Sequence, residues 1–193
     1  MIKLKNYTLK KKEEMTTAEL GIFNFKFSVE NKAPKMKEYF KLYSSLNITG
    51  REIIYSIYNN KKQLIGVFFV YGIKPDERYA YVTILIFSDH RFDVIDGTTT
   101  PIYTTIILFA SMYICEHPEE VGQKLDGCIA TILTLKNTGN LDTLLRYTRL
   151  RTCRKDLILA APDYKLKEVN GNYFLFMKYS YNKTSLHKND YLN

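Results

Sequence analysis

The sequence predicts a single α/β (α+β) domain in which helices flank a central, mixed and mostly antiparallel sheet. Three observations lead to this prediction. The chain of 193 residues is about one domain long, and its apolar runs alternate between strand-like and helix-like periods. Its last two apolar runs meet at Asn170-Gly171, a strong hairpin signal. A composition of 46% hydrophobic and 25% charged residues argues against a disordered chain.

The first half of the chain predicts one strand, one helix and then three strands. Phe23 to Val29 alternates apolar with polar side chains, as a half-buried strand does. A helix is expected from Lys35 to Leu46, because its apolar residues recur three and four positions apart after Pro34. The three strands are Glu52–Tyr58, Gln63–Ile73 and Tyr79–Phe87, and the last is apolar on both faces, as a central strand is.

The second half predicts alternating helices and strands. After a loop from Ser88 to Thr100, a helix begins with Pro101 at its first position and runs to about Cys115. The later elements are a loop Pro118–Asp126, a strand Gly127–Leu133, a helix Asn140–Leu150 and the hairpin strands Tyr164–Val169 and Asn172–Tyr181. The whole order is therefore β-α-β-β-β-α-β-α-β-β.

The charge of the chain is concentrated in two places. The sequence has 28 Lys+Arg against 20 Asp+Glu, a formal net charge of +8. We expect residues 1–20 to form a basic N-terminal arm, residues 21–182 the folded domain and residues 183–193 a C-terminal tail. The residues expected to contact a partner or phosphate are Lys10, Lys11, Lys12, Arg146, Arg149, Arg151 and Arg154. The alternative is that both clusters are solvated surface.

Several classes of protein are not expected. The three cysteines, Cys115, Cys128 and Cys153, form no CxxC pair and no zinc spacing, so we expect reduced thiols and no metal site. The apolar stretch Ile102 to Cys115 is too short to span a bilayer. The first residues contain no continuous apolar segment of the kind found in signal peptides. The many Lys, Asn, Ile and Tyr residues indicate an AT-rich coding genome, such as that of a virus or a low-GC bacterium.

The order of elements resembles the GCN5-related N-acetyltransferase (GNAT) family from about Phe23 to Tyr181. The phrase Gln63-Leu-Ile-Gly66 after a hairpin turn is similar to a paired-strand segment of that family. Asn140 followed seven residues later by Tyr147 resembles the family's late helix, and the closing strand ending in Met177-Lys178 resembles its last strand. The resemblance implies a GNAT-like single domain. It also implies that Tyr147 would be the general acid near the coenzyme A sulfur.

The loop that binds coenzyme A in that family differs here. GNAT enzymes carry Arg/Gln-x-x-Gly-x-Gly/Ala at this place, where glycines let backbone N–H groups approach the pyrophosphate. In this chain Phe92, Val94 and Asp96 stand where small residues are expected, although Arg91 matches a family arginine. A like-charge contact between a carboxylate and the pyrophosphate at ~4 Å costs about 4 kcal/mol. The residues left to bind the cofactor are Arg91, Gly97, Thr98 and Thr99.

Two functional hypotheses follow, from different classes of protein. The first is a non-catalytic structural or interaction subunit with no cofactor, in a homo-oligomer or with a protein partner, such as a component of a tailed-phage virion. The alternative is an active N-acyltransferase that uses acetyl-CoA on a small amine or a protein lysine. A weaker third hypothesis is nucleic-acid contact through the basic patches. The expected location is the cytoplasm of a host cell, or the virion if the source is a phage.

Overall fold

The computed structural model describes residues 1–4, 6–31, 50–90, 102–134, 164–169 and 172–180. The strands are β1 (Ile2–Leu4), β2 (Tyr7–Lys11), β3 (Arg51–Asn59), β4 (Leu64–Ile73), β5 (Tyr79–Ile86), β6 (Gly127–Thr134), β7 (Tyr164–Val169) and β8 (Asn172–Ser180). The helices are α1 (Thr17–Asn31), α2 (Ile102–Glu116) and α3 (Pro118–Val121). Two short 3-10 turns, Lys12–Glu14 and Ser88–His90, lie between them.

The eight strands form one sheet in the order β1-β2-β3-β4-β5-β6-β8-β7. Neighbouring strands are antiparallel except for β5 and β6, which run parallel. A parallel pair needs a crossover connection, and α2 lies in the connection between β5 and β6. The predicted α/β (α+β) domain with a mixed, mostly antiparallel sheet is therefore confirmed.

Strand β4 is covered on both faces. Phe68 and Val70 belong to the apolar cluster that contains α2, whereas Leu64 and Val67 belong to a second cluster with Phe23 of α1. Because successive side chains of a strand point to opposite faces, the two helices lie on opposite sides of the sheet. The register of β3 against β4 shifts next to Gly66, which is the signature of a β-bulge.

Helix α2 forms the larger core. Its residues Ile106, Ala110 and Ile114 are fully buried and recur four positions apart, as expected of one helix face. The helix packs against β5 and β6 and also against β1. Since β1 is four strands away from β5 in the sheet order, the sheet must curl around this helix to bring its edge strand into contact.

The segment from Phe23 to Val29 is helical, so its prediction as a strand was wrong. Thr16 and Glu19 form a capping box: the Thr16 N–H donates to Glu19 Oε2 at 2.7 Å, and the Glu19 N–H donates to Thr16 Oγ1 at 3.3 Å. The helix buries Phe23 against the sheet and leaves Phe25 exposed to solvent. Apolar residues at every second position are compatible with a strand and also with a helix. The capping box at Thr16 and Glu19 indicates the helix.

The first residues of the chain are part of the sheet. Ile2 and Leu4 of β1 and Leu9 of β2 are buried, and β2 pairs with β3. Residues 1–20 were expected to form a basic N-terminal arm, and the structure shows that β1 and β2 lie within this stretch. Successive side chains of a strand point to opposite faces, so Ile2 and Leu4 can be buried while Lys3 between them faces solvent.

The strands expected between Glu52 and Phe87, the helix α2, the strand β6 and the two hairpin strands β7 and β8 are confirmed. A short helix, α3, lies where a loop was expected, with Gly122 at φ 78° ending it in the left-handed conformation. Four expectations fall outside the described residues, namely the helices Lys35–Leu46 and Asn140–Leu150, the turn Asn170-Gly171 and the tail 183–193.

Gly66 permits the close approach of β4 and β5, and this can be tested. A Cβ at this position would clash with the backbone oxygen of Leu85 and lie 3.1 Å from the Ile86 Cα. We expect Gly66→Ala to lower the free energy of unfolding by about 1–3 kcal/mol in urea denaturation. Gly21→Ala is the matched control, because nothing lies within 4 Å of a Cβ there, and it should raise stability by about 0.5–1 kcal/mol. Equal effects would contradict the steric role of Gly66.

Candidate ligand cleft and charged contacts

The sheet changes from antiparallel to parallel strand pairing at β5. This strand is antiparallel to β4 on one side and parallel to β6 on the other. In open α/β sheets, ligands commonly bind in the crevice outside the carboxyl ends of the parallel strands. The carboxyl end of β5, at Ile86, is therefore the candidate position of a functional site.

The two parallel strands separate toward their carboxyl ends. Their register joins Tyr79–Val82 to Gly127–Ala130, whereas β5 continues to Ile86 and β6 continues to Thr134. Beyond that point each strand keeps its other neighbour, because β5 remains paired with β4 and β6 with β8. Paired strands lie about 4.8 Å apart, so the end of the register marks a cleft that opens between them.

Residues that follow β5 are attached to α1. Phe87 is buried, and its N–H donates to the Ile65 carbonyl at 2.9 Å. Lys26 of α1 donates from Nζ to Asp89 Oδ2 at 3.2 Å and also to the Leu64 carbonyl at 3.1 Å. One lysine thus connects α1 to β4 and to the segment just beyond the end of β5.

His90 is the one imidazole near this end of β5 among the described residues. Its Nε2 lies 3.7 Å from Asp89 Oδ2, and its side chain is mostly buried, whereas Asp89 is 57% exposed. The structure therefore places an imidazole beside a carboxylate just beyond the carboxyl end of β5.

The residues expected to bind a cofactor lie outside the described part of the chain. These are Arg91, Gly97, Thr98 and Thr99. The expected general acid Tyr147 also lies outside the described part, and so do the basic residues expected to contact a partner or phosphate, Arg146, Arg149, Arg151 and Arg154. Their roles stay predictions. Within the described residues, no group of three or more His, Cys, Asp or Glu could hold a metal ion. No helix in that part is long and apolar enough to cross a membrane.

Lys10 and Lys12 of the N-terminal basic cluster contact α1. Lys10 Nζ lies 2.7 Å from Glu19 Oε2, and Lys12 Nζ lies 5.7 Å from the centroid of the Phe23 ring. Hydrogen bonds from Lys10 and from Thr16 lower the pKa of Glu19 to about 2. The expected contact of these lysines with phosphate or a partner stays a prediction. In the structure, Lys10 is neutralised by its own chain.

Lys11 belongs to a partly buried charged group that links three elements. Its Nζ lies 2.8 Å from Glu120 Oε2 on α3 and 3.1 Å from the Glu120 carbonyl oxygen. The hydroxyl of Tyr55 on β3 donates to the same Oε2 at 2.8 Å. Burial, followed by the hydrogen bond to Glu120, raises the pKa of Tyr55 well above its ordinary value.

The side chain of Glu120 is only 12% exposed, so its charge is balanced within the fold. Burial by itself would raise the pKa of this carboxyl, but the hydrogen bonds from Lys11 and Tyr55 outweigh it and lower the pKa below its ordinary value of 4.5. No local pattern could indicate this contact, because Lys11 and Glu120 are more than a hundred residues apart and meet only through the curl of the sheet.

The two described cysteines are buried beside each other. Cys115 Sγ of α2 lies 3.9 Å from Cys128 Sγ of β6, and both are free thiols. The hydrogen bond with Cys115 and the burial of the site raise the pKa of Cys128. A protonated, buried thiol packs as a small apolar group, and Cys128 does so between β6 and α2.

The charged group around Glu120 makes stability depend on pH. Because the folded-state pKa of Glu120 lies below the ordinary 4.5, its contribution is complete above about pH 4.5 and is lost as the pH falls through the lowered value. We expect Glu120→Gln to cost about 2 kcal/mol at pH 7 and to flatten the acid dependence. Urea unfolding at pH 3 to 7 would measure both. The exposed neighbour change Glu119→Gln should shift stability by less than about 0.5 kcal/mol, and an equal loss in the two variants would refute the role of Glu120.

Comparison with known proteins reveals a structural likeness only. No family model matches the chain, and neither does any curated protein sequence. A chimera of the spermidine N-acetyltransferase SpeG from Vibrio cholerae and hSSAT has 17% identity and a TM-score of 0.53, over 91% of this chain and 95% of that one. The dodecameric spermidine N-acetyltransferase from Vibrio cholerae has 15% identity and a TM-score of 0.52, over 91% and 94%. This chain therefore has the fold of the GCN5-related N-acetyltransferases, in a divergent form.

Proposed function

We propose that this protein is a non-catalytic interaction subunit built on the GNAT fold. The observation that carries the proposal is the outward face of α1. Of the exposed large apolar side chains in the described residues, three lie on this helix: Phe25 is 72% exposed, Ile22 55% and Val29 54%. Large apolar side chains grouped on a protein surface mark a contact with another molecule.

The residues after β5 also favour this role over acyl transfer. Asp89, Asp93 and Asp96 add negative charge to the segment where the pyrophosphate of coenzyme A would have to bind. Phe92 and Val94 replace the small residues that would let backbone N–H groups reach it. A cradle made by Arg91 and the Gly97-Thr98-Thr99 segment would have to overcome the carboxylates of Asp93 and Asp96, while Asp89 is already paired with Lys26.

A tailed-phage particle is the assembly that we propose for such a subunit, in keeping with the AT-rich coding inferred from composition. Outside the particle, the chain would be found in the host cytoplasm. Contact with nucleic acid would depend mainly on Arg146, Arg149, Arg151 and Arg154, because Lys10 and Lys11 are already paired with carboxylates.

The second candidate function is acyl transfer from acetyl-CoA to a small amine or a protein lysine. The cleft between the carboxyl halves of β5 and β6 favours it, since a ligand could enter where the register ends. The two solved structures compared above are named as spermidine N-acetyltransferases. In this case Tyr147 would be the general acid, and Arg91, Gly97, Thr98 and Thr99 would hold the cofactor.

Calorimetric titration with acetyl-CoA distinguishes the two functions. For the interaction subunit we expect no binding tighter than about 100 μM, which corresponds to about −5.5 kcal/mol, and no coenzyme A release with spermidine or a lysine peptide. Binding tighter than this that is lost in Arg91→Ala, but kept in the exposed-turn control Lys61→Ala, would establish a cofactor site. Turnover that falls in Tyr147→Phe would overturn the proposal in favour of acyl transfer.

A further inference from the structure

The outward face of α1 has a feature beyond its apolar character, which is that it carries no charge. The exposed side chains between Thr17 and Val29 are all uncharged. The two charged residues of that stretch, Glu19 and Lys26, are half-buried and bound to Lys10 and Asp89. One residue in four of the whole chain is charged, so an uncharged helix face of this length stands apart from the rest.

The apolar residues of this face form a narrow stripe along the helix. Ala18, Ile22, Phe25 and Val29 follow one another at intervals of four, three and four residues, which places them in one line on an α-helix. Ala18 and the neighbouring Gly21 are small, and nothing lies within 4 Å of a Cβ at Gly21. Small residues at the amino-terminal end of the stripe let a second helix approach closely there, and the larger Ile22, Phe25 and Val29 supply the apolar contact.

We infer that α1 docks against α1 of a second copy of this chain around a two-fold axis. This inference rests on the proposed interaction role and names the partner. In an isologous contact, residues near the axis meet their own copies, so any charge there would face a like charge. The absence of charge from this face fits that requirement. It offers no complementarity to an acidic partner, which the net charge of +8 would otherwise attract.

The contact between the two helices is limited in size. A helix of 15 residues is about 22 Å long, so the stripe alone supplies less than the ~800 Å² per partner of a standard interface. We therefore expect dimers that dissociate in the micromolar range. Added salt should strengthen them, because it screens the repulsion between two basic chains and leaves the apolar contact intact. Salt would weaken a complex with nucleic acid instead.

Sedimentation equilibrium of the full chain tests the inference. From about 1 to 300 μM we expect the average mass to rise toward twice that of the monomer, at lower concentration when NaCl is raised. Phe25→Glu should raise the dissociation constant by about 30-fold or more. Asn24→Glu is the matched control, since it adds the same charge to an exposed position of the same helix off the stripe, and it should change the constant by less than about threefold.

A charge exchange identifies the partner helix. An equimolar mixture of Phe25→Glu and Phe25→Lys should form dimers again, because opposite charges then meet near the axis. The far-UV circular dichroism and melting temperature of each variant should match those of Asn24→Glu, so that loss of association is not loss of folding.

Other outcomes would refute the inference without touching the proposed function. Dimers that persist in Phe25→Glu would place the interface elsewhere. A monomer at every concentration, with Phe25→Glu melting well below Asn24→Glu, would mean that the stripe is covered by its own chain. In either case the acetyl-CoA titration would still decide between an interaction subunit and an enzyme. Tight acetyl-CoA binding by a chain that does dimerise through α1 would overturn the proposed function and leave the dimer intact.

Discussion

Strand β5 pairs with a different kind of neighbour on each side, and the rest of the molecule is arranged around that pairing. Its antiparallel bond ladder with β4 extends to Ile86, whereas its parallel ladder with β6 ends at Val82. The parallel neighbour requires the crossover through α2, and the curl of the sheet around α2 brings β1 and β2 into the core. A cleft opens where the parallel ladder between β5 and β6 ends. The pairing of β5 therefore determines the positions of both the core and the candidate site.

The lysines near the amino terminus illustrate how the fold uses charge. Lys10, Lys11 and Lys26 each hold a carboxylate on a different element, and together they attach α1 and α3 to the sheet. Charges used in this way are not available to a partner. What α1 presents to solvent is an uncharged, partly apolar face, which is why the proposed association is assigned to an apolar contact and not to a basic patch.

Local patterns predicted the centre of the sheet and failed at its start. β3, β4 and β5 are long, apolar and separated by clear turns, so the spacing of their apolar residues is compatible only with strands. Phe23 to Val29 admitted two interpretations, because apolar residues at every second position also supply both faces of a helix. The capping signal at Thr16 and Glu19 was present in the sequence and was the stronger indicator.

The sequence by itself determined the order of the central elements, the mixed sheet and the unusual acidic, glycine-poor segment after β5. These depend on residues close together in the chain, where periodicity and turn chemistry act directly. Only the tertiary structure decided that β5 and β6 separate beyond Val82 and Ala130, and that Lys11 is bound by Glu120. Such contacts join residues far apart in the chain, and their geometry depends on the curl of the whole sheet, which no local pattern records.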